Sequence, residues 1–477
     1  MGVPTPPSAR VRWLVAGAFS AHPSGQRFLL TEESFARLGH AAGAQRVTVP
    51  DRIGSGEVSA YEVSFDTLSD FQLASVIDSV PALRSLRTLH AALSADSPPS
   101  PDEAARLKPA MDMSRLASVM SGALQGLRSA PEARRAALGA FEEALFATAS
   151  DLLLSPAVAR LESAWRGLHW LWTHCPPSAG MDIEVLDAEP HQLLEALGQA
   201  LDVPPLQRPD ACFILDALHD MGTLHQLASL GEQASLPMVV ALAPSLLAEG
   251  AQELCSPEAW NRLRADESSR WLCTALNPVV MVAEQQGAVR RECFTSPVLA
   301  VAALLAASFR DTRTFARLGG PGSQTRAPAV WQPQGSATVA TERCLSLREQ
   351  ERLAARGILA VSGWWDSPTV LLSRAPTLYG GRDATLLPAQ LLTGRLLRLA
   401  LALTERIPPS ANREEVNELF ARAGEAFLAN GQAQACQLHG QVVSTGNGER
   451  GMHVRASLRP ELAGTHVQLS FILPLRG

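Results

Sequence analysis

His169, His174 and Cys175 bring two imidazoles and a thiol into one short stretch, the residue types of a metal site. The spacing argues against it. An offset of five turns the two histidines onto different faces of a helix, whereas three or four would stack them, so the pattern reads as a polar helix end. His219 and His225 meet the same objection. Gly319-Gly320-Pro321-Gly322-Ser323 is the nearest thing to a phosphate cradle, but no lysine follows it and Pro321 removes a backbone donor. Glu342, in T-E-R, is a candidate buried carboxylate paired with arginine. Acid/base chemistry needs a second group beside it, and the sequence places none. The chain holds a single lysine, Lys108, which excludes a phosphate-loop lysine and a Schiff-base lysine. No H-E-x-x-H, G-x-S-x-G, Walker or dinucleotide fingerprint occurs. The reading is a protein that is not an enzyme, with no cofactor and no metal.

The element that carries the histidines is L-E-S-A-W-R-G-L-H-W-L-W, residues 161–172. Ser155-Pro156 predicts its start, a hydroxyl to cap the free N–H groups and a ring suited to the first helical position; Pro176 and Pro177 close it. Leu161, Trp165, Leu168 and Trp172 form one apolar stripe that carries two indoles into a core. Glu162 and Arg166, four apart in the favourable order, are expected to pair on the flank. Gly167 inside a helix costs about 1 kcal/mol relative to alanine, which another backbone passing close would explain.

At 477 residues, 46% hydrophobic and 18% charged, the chain is globular and long enough for two or three domains. A net charge of −6 gives no electrostatic footprint for nucleic acid. Seven scattered cysteines without a C-x-x-C read as reduced, mostly buried thiols in a cytoplasmic protein. The longest apolar run, Pro297 to Phe309, is shorter than the roughly 20 residues a membrane span needs, so no membrane insertion is expected. Trp13 to Phe19 reads as a strand and not as a signal core.

In chain order, residues 1–93 read as a small α/β unit with strands at Val11–Gly17, Arg46–Val49 and Ser59–Phe65. A Pro-rich, charged linker covers 94–110, and 111–175 is helical. Residues 176–380 alternate strand and helix; the runs 211–215 and 237–242 are continuously apolar, as in a sheet covered on both faces, and Trp271–Val282 reads as one strand. Two helices, 386–406 and 412–429, precede strands at Gln437–Ser444, His453–Leu458 and His466–Leu473, whose turn glycines predict an antiparallel meander. The fold class is therefore α/β: a small N-terminal unit joined to a larger α/β core with a C-terminal antiparallel meander.

This order of pieces resembles the contractile sheath of the bacterial type VI secretion system, small and large subunits fused in one chain. V-R-W-L-V-A-G-A-F-S at 11–20 resembles the small subunit's opening strand and G-D-F-S turn, with Ala18 in place of the acid; V-S-F-D-T-L-S-D-F and V-P-A-L-R-S-L follow. L-E-S-A-W-R-G-L-H-W-L resembles the large subunit's most recognisable motif, with Trp165, Arg166, Gly167 and Leu168 retained. P-E-A-W-N-R-L-R at 257–264, A-T-E-R around Glu342 with L-A-A-R-G-I-L-A-V after it, and the closing L-R-P-E-L-A-G-T-H-V-Q-L-S-F-I-L are similar to further blocks of that subunit. The chain departs from the family where the linker replaces the helical tail and arm between the two parts, and near 400–409, where the arginine–aspartate pair is missing.

The resemblance implies a cytoplasmic structural subunit that forms a homo-oligomeric lattice around an inner tube and exchanges strands with its neighbours. The assembly strands would be Val11, Trp13 and Val15 at one end and Val467, Leu469 and Phe471 at the other. Inner-tube protein, baseplate components and a recycling unfoldase are the further partners it implies. Two alternatives stay open: a fused paralogue that caps or regulates a sheath without polymerising, and an α/β small-molecule-binding protein or enzyme using its strand ends.

Overall fold

Val11–Gly17 (β1) is buried at every position but Arg12, with Val11, Trp13 and Val15 on one face and Leu14 and Ala16 on the other. Such a run needs cover on both sides, and the rest of the chain supplies it. The computed structural model describes residues 10–50, 52, 58–94, 131–247, 257–320, 322–333, 337–407, 413–427, 436–444 and 450–474. The N-terminal arm, the linker beyond Ser94, the first helix expected after it and the turn 445–449 lie outside the described residues.

After β1 come β2 (Arg27–Leu29), α1 (Glu32–Ala42), the hairpin β3 (Ala44–Pro50) and β4 (Val58–Ser64), and helices α2 (Leu73–Ser79) and α3 (Pro81–Ser94). Thr31 starts α1 with a reciprocal capping box to Ser34. Helices α4 (Pro131–Leu154) and α5 (Pro156–His174) lead into β5 (Met181–Asp187), α6 (Leu193–Leu201), β6 (Ala211–Leu218), α7 (Met221–Ala234), β7 (Met238–Leu242), α8 (Pro257–Ala265) and β8 (Leu272–Leu276). The hairpin β9 (Val279–Gln286) and β10 (Val289–Thr295), the buried helix α9 (Pro297–Thr312), β11 (Gln324–Arg326), α10 (Leu347–Ala355), β12 (Ile358–Gly363) and β13 (Thr369–Leu372) follow. Helices α11 (Leu387–Thr404) and α12 (Arg413–Phe427) precede the antiparallel strands β14 (Cys436–Ser444), β15 (Arg450–Leu458) and β16 (Val467–Pro474).

The main sheet has nine strands in the order β11-β13-β12-β8-β7-β6-β1-β5-β2. Strands β12, β8, β7, β6, β1 and β5 run parallel, and antiparallel partners close both ends. Counting only the parallel strands along the chain, the order is 2-1-3-4-5-6, so the sheet reverses direction at β1. One apolar layer joins β1 to α4, α5, α9 and α11; the other packs α6, α7 and α8 on the opposite face. The expected α/β class is the one observed.

Two expectations need correction. Residues 11–93 do not form a unit of their own: β1 lies inside the main sheet, β2 extends it, and Val63, Phe71, Val76 and Leu83 share one core with α4 and α5. Trp271–Val282 is two strands in different sheets, because Asn277 takes φ 78 and Pro278 follows it.

Candidate functional site

Leu161, Trp165 and Leu168 are buried as their spacing predicts, while Trp172 is partly buried against Phe35. Trp165 Nε1 donates to the Phe19 carbonyl at 2.7 Å, tying α5 to the loop after β1, and Phe71 packs edge-on against the same indole. Two local readings change. The Ser155 hydroxyl does not cap α5; it donates back to the Leu152 carbonyl. Gly167 makes room for side chains and not for a backbone, since a Cβ there would lie 1.9 Å from Thr295 Oγ1 and 2.5 Å from Leu299 Cδ1. Thr295 uses that hydroxyl to donate to the Ser163 carbonyl, pinning β10 to α5.

Glu162 and Arg166 do pair, at 2.7 Å, but Glu162 is 1% exposed and sits in a joint, not on a flank. Its second oxygen accepts from Arg291 Nη1 at 2.6 Å. Arg291, equally buried, also donates to the Phe71 carbonyl at 2.7 Å and to Glu284 at 3.0 Å, while Glu284 accepts the Leu73 N–H and Arg166 reaches the Leu68 carbonyl. Burial alone would lower the Arg291 pKa; the charges and hydrogen bonds of Glu162 and Glu284 more than reverse this and raise it. Arg291 therefore keeps its charge, and the cluster binds residues 68–73 to α5 and the β9–β10 hairpin. A second joint is centred on Asp210, which accepts the Arg12 N–H, Arg395 Nη1 at 2.7 Å and Arg398 Nη2 at 2.6 Å. Burial holds Arg398 down to about 10 against the pull of Asp210. These side chains hold segments together; every carboxylate oxygen named has a donor.

Glu342 is exposed, so the expected buried ion pair is absent; its backbone N–H donates to the Pro278 carbonyl. His174 hydrogen-bonds the Trp170 carbonyl through Nδ1 at 2.9 Å and Thr325 Oγ1 through Nε2 at 2.7 Å, which ties α5 to the edge strand β11. Among the described residues no group of three His, Cys, Asp or Glu side chains is placed to hold a metal. Burial pushes the Cys175, Cys212 and Cys293 thiols up to about 12. No single described helix is long and apolar enough to cross a membrane.

Burial depresses the His174 pKa, with Arg310 adding to the effect and the bond to Trp170 opposing it. The folded value lies below the unfolded value of about 6.5, so folding favours the neutral ring. Its contribution is fully present above about pH 6.5 and is lost as pH falls from there toward the folded pKa. Urea midpoints measured from pH 7.5 down to about pH 5.5 should fall more for the wild type than for His174→Gln; equal slopes would contradict this.

At the other end of the chain, β16 pairs with β15 along its whole length, and among the described residues no strand covers its outer edge. Val467 is buried, whereas Leu469, Phe471 and Leu473 are only half-buried against the main core, and Ile472 is 56% exposed on the far face. The other strand expected to be lent, carrying Val11, Trp13 and Val15, is not an edge: β1 pairs with β5 on one side and β6 on the other. Parallel pairing with strands far along the chain gave no local signal in the sequence.

No family model and no curated protein matches the sequence. Among solved structures, the chain is similar to a protein of the anti-feeding prophage baseplate, at 12% identity over 66% of this chain and 78% of that one, with a TM-score of 0.38. It is also similar to a sheath tail protein from Listeria innocua, at 11% identity over 60% of each chain and a TM-score of 0.36. A third is the sheath complex of an extracellular contractile injection system in its contracted state, at 10% identity over 66% of this chain and 77% of that one, with a TM-score of 0.37.

Proposed function

We propose that the chain is a structural subunit of a type VI secretion contractile sheath, acting in the cytoplasm, with small- and large-subunit-like regions in one polypeptide. It assembles with copies of itself around an inner tube and its contraction drives effector delivery. The family reading rests on the Trp165-Arg166-Gly167-Leu168 segment and the blocks around it. The observation that supports the mode of assembly is the outer edge of β16, left unpaired among the described residues, above the half-buried Leu469, Phe471 and Leu473. A strand from a neighbouring copy would satisfy that edge with backbone hydrogen bonds and cover the three side chains. Such pairs persist while the bodies they join rotate, which is what a lattice that changes length requires. Fusion keeps the two regions at equal numbers and raises their effective concentration.

Electron microscopy of the purified chain tests the proposal: tubules or rings are expected, and a strict monomer at high concentration would overturn it. The internal position of β1 favours one second reading, a paralogue that caps or regulates a sheath, because only one of the two expected assembly strands remains open. That reading predicts the monomer.

A further inference from the structure

Two strands of the C-terminal meander break a pattern that holds elsewhere in the chain. Among the described residues, each strand at an edge of the other sheets carries a charged side chain: Arg27 on β2, Arg326 on β11, Arg46 on β3, Glu62 on β4, Glu284 on β9 and Arg290 on β10. Strands β2 and β11 are also only three residues long. Short or charged edges resist pairing with another chain. By contrast β14 (C-Q-L-H-G-Q-V-V-S) and β16 (V-Q-L-S-F-I-L-P) hold no Asp, Glu, Lys or Arg in nine and eight residues, and both ladders run in unbroken register. A proline stands only at the last position of β16. The charges of the meander lie on its central strand β15, as Arg450 and Arg455. This is the arrangement of a sheet that continues beyond both edges.

The two edges also match each other. Strands β14 and β16 both run antiparallel to β15, so they point the same way, and a β14 laid beside β16 in a sheet of unchanged orientation pairs in parallel. The inward face beneath β14 is covered by α12, with Phe420 so close that a Cβ on Gly440 would lie 2.6 Å from it. Beneath β16, Leu469 and Phe471 stay half-buried. A β14 arriving at that edge brings a covering helix with it.

We propose that the outer edge of β16 is filled by β14 of a second copy of this chain, which joins the two meanders into one continuous sheet. The proposal rests on the reading of β16 as an assembly edge and names the strand that fills it. A contact of β16 with β16 would be two-fold and would close a dimer with β14 left open, whereas β14 against β16 uses both uncharged edges and repeats from copy to copy.

His439 and Ser470 are exposed on the outer face at one rung of the meander, each opposite Arg455. They lie two strand spacings apart, about 10 Å, which is too far for a disulfide within one chain. The full-length double variant His439→Cys/Ser470→Cys, mildly oxidised, is expected to give a ladder of dimer, trimer and higher species on a non-reducing gel, while the wild type and each single variant stay at the monomer position. Pairing His439→Cys with Gln468→Cys or Ile472→Cys covers a register displaced by one side-chain repeat in either direction, and a ladder from any of the three pairs supports the proposal. Cross-linked dimers from Ser470→Cys alone would overturn it and leave β16 an assembly edge. Monomers from all three double variants in samples that form tubules or rings would overturn it as well, and monomers in samples that form neither would remove the assembly reading with it.

Discussion

Replacing Arg291 by methionine is expected to destabilise the protein by about 3–5 kcal/mol, the usual cost of breaking a buried ion pair from one side. The substitution leaves Glu162 at 1% exposure with Arg166 as its one remaining cation, and it strips donors from Glu284 and from the Phe71 carbonyl. Methionine fills much of the volume, so the loss reports the orphaned acceptors and not a cavity. Equilibrium unfolding in urea measures it. Adding Glu162→Gln to the same chain removes the buried carboxylate oxygen that has lost its donor, so the double variant should lose less than the sum of the two single variants, a coupling that a double-mutant cycle reads directly. A single-variant loss below about 1 kcal/mol would mean that the joint is not what binds residues 68–73 to α5.

Deleting Thr465–Gly477 is expected to abolish higher-order assembly while leaving the main sheet folded. Strand β16 belongs to the three-stranded meander and shares no strand pairing with the nine-stranded sheet, so its removal breaks one antiparallel ladder. The cost is local: Leu469, Phe471 and Leu473 are only half-buried, although Val467 gives up a buried position. Sedimentation would show the loss of large species, and urea unfolding would show a retained cooperative transition. Assemblies that form as before would remove β16 from the mechanism.

Much of the fold could be read from local pattern. The stripe Leu161, Trp165, Leu168 gave α5 and its buried face, and the turn glycines between 436 and 474 gave the meander, because both signals repeat within a few residues. The joints could not be read this way. Arg291 sits in V-R-R-E-C-F-T, a charged run with the look of a solvated strand, and its partner Glu162 lies 129 residues earlier. Asp210 and Arg398 are separated by 188 residues. Long-range pairing also decided where β1 belongs: its sequence fits an edge strand before an arm as well as a central one, and only its pairing with β5 on one side and β6 on the other chooses between them. Gly167 shows the same limit on a smaller scale. Its presence signalled a close approach, but not that Thr295 and Leu299 would be the neighbours.

A cryo-electron-microscopy map of the assembled protein would show directly whether copies join through the β16 edge. A strand from a neighbouring copy is expected along the outer edge of Val467–Pro474, hydrogen-bonded to it, with Leu469, Phe471 and Leu473 fully covered. A lattice in which that edge faces solvent would contradict it.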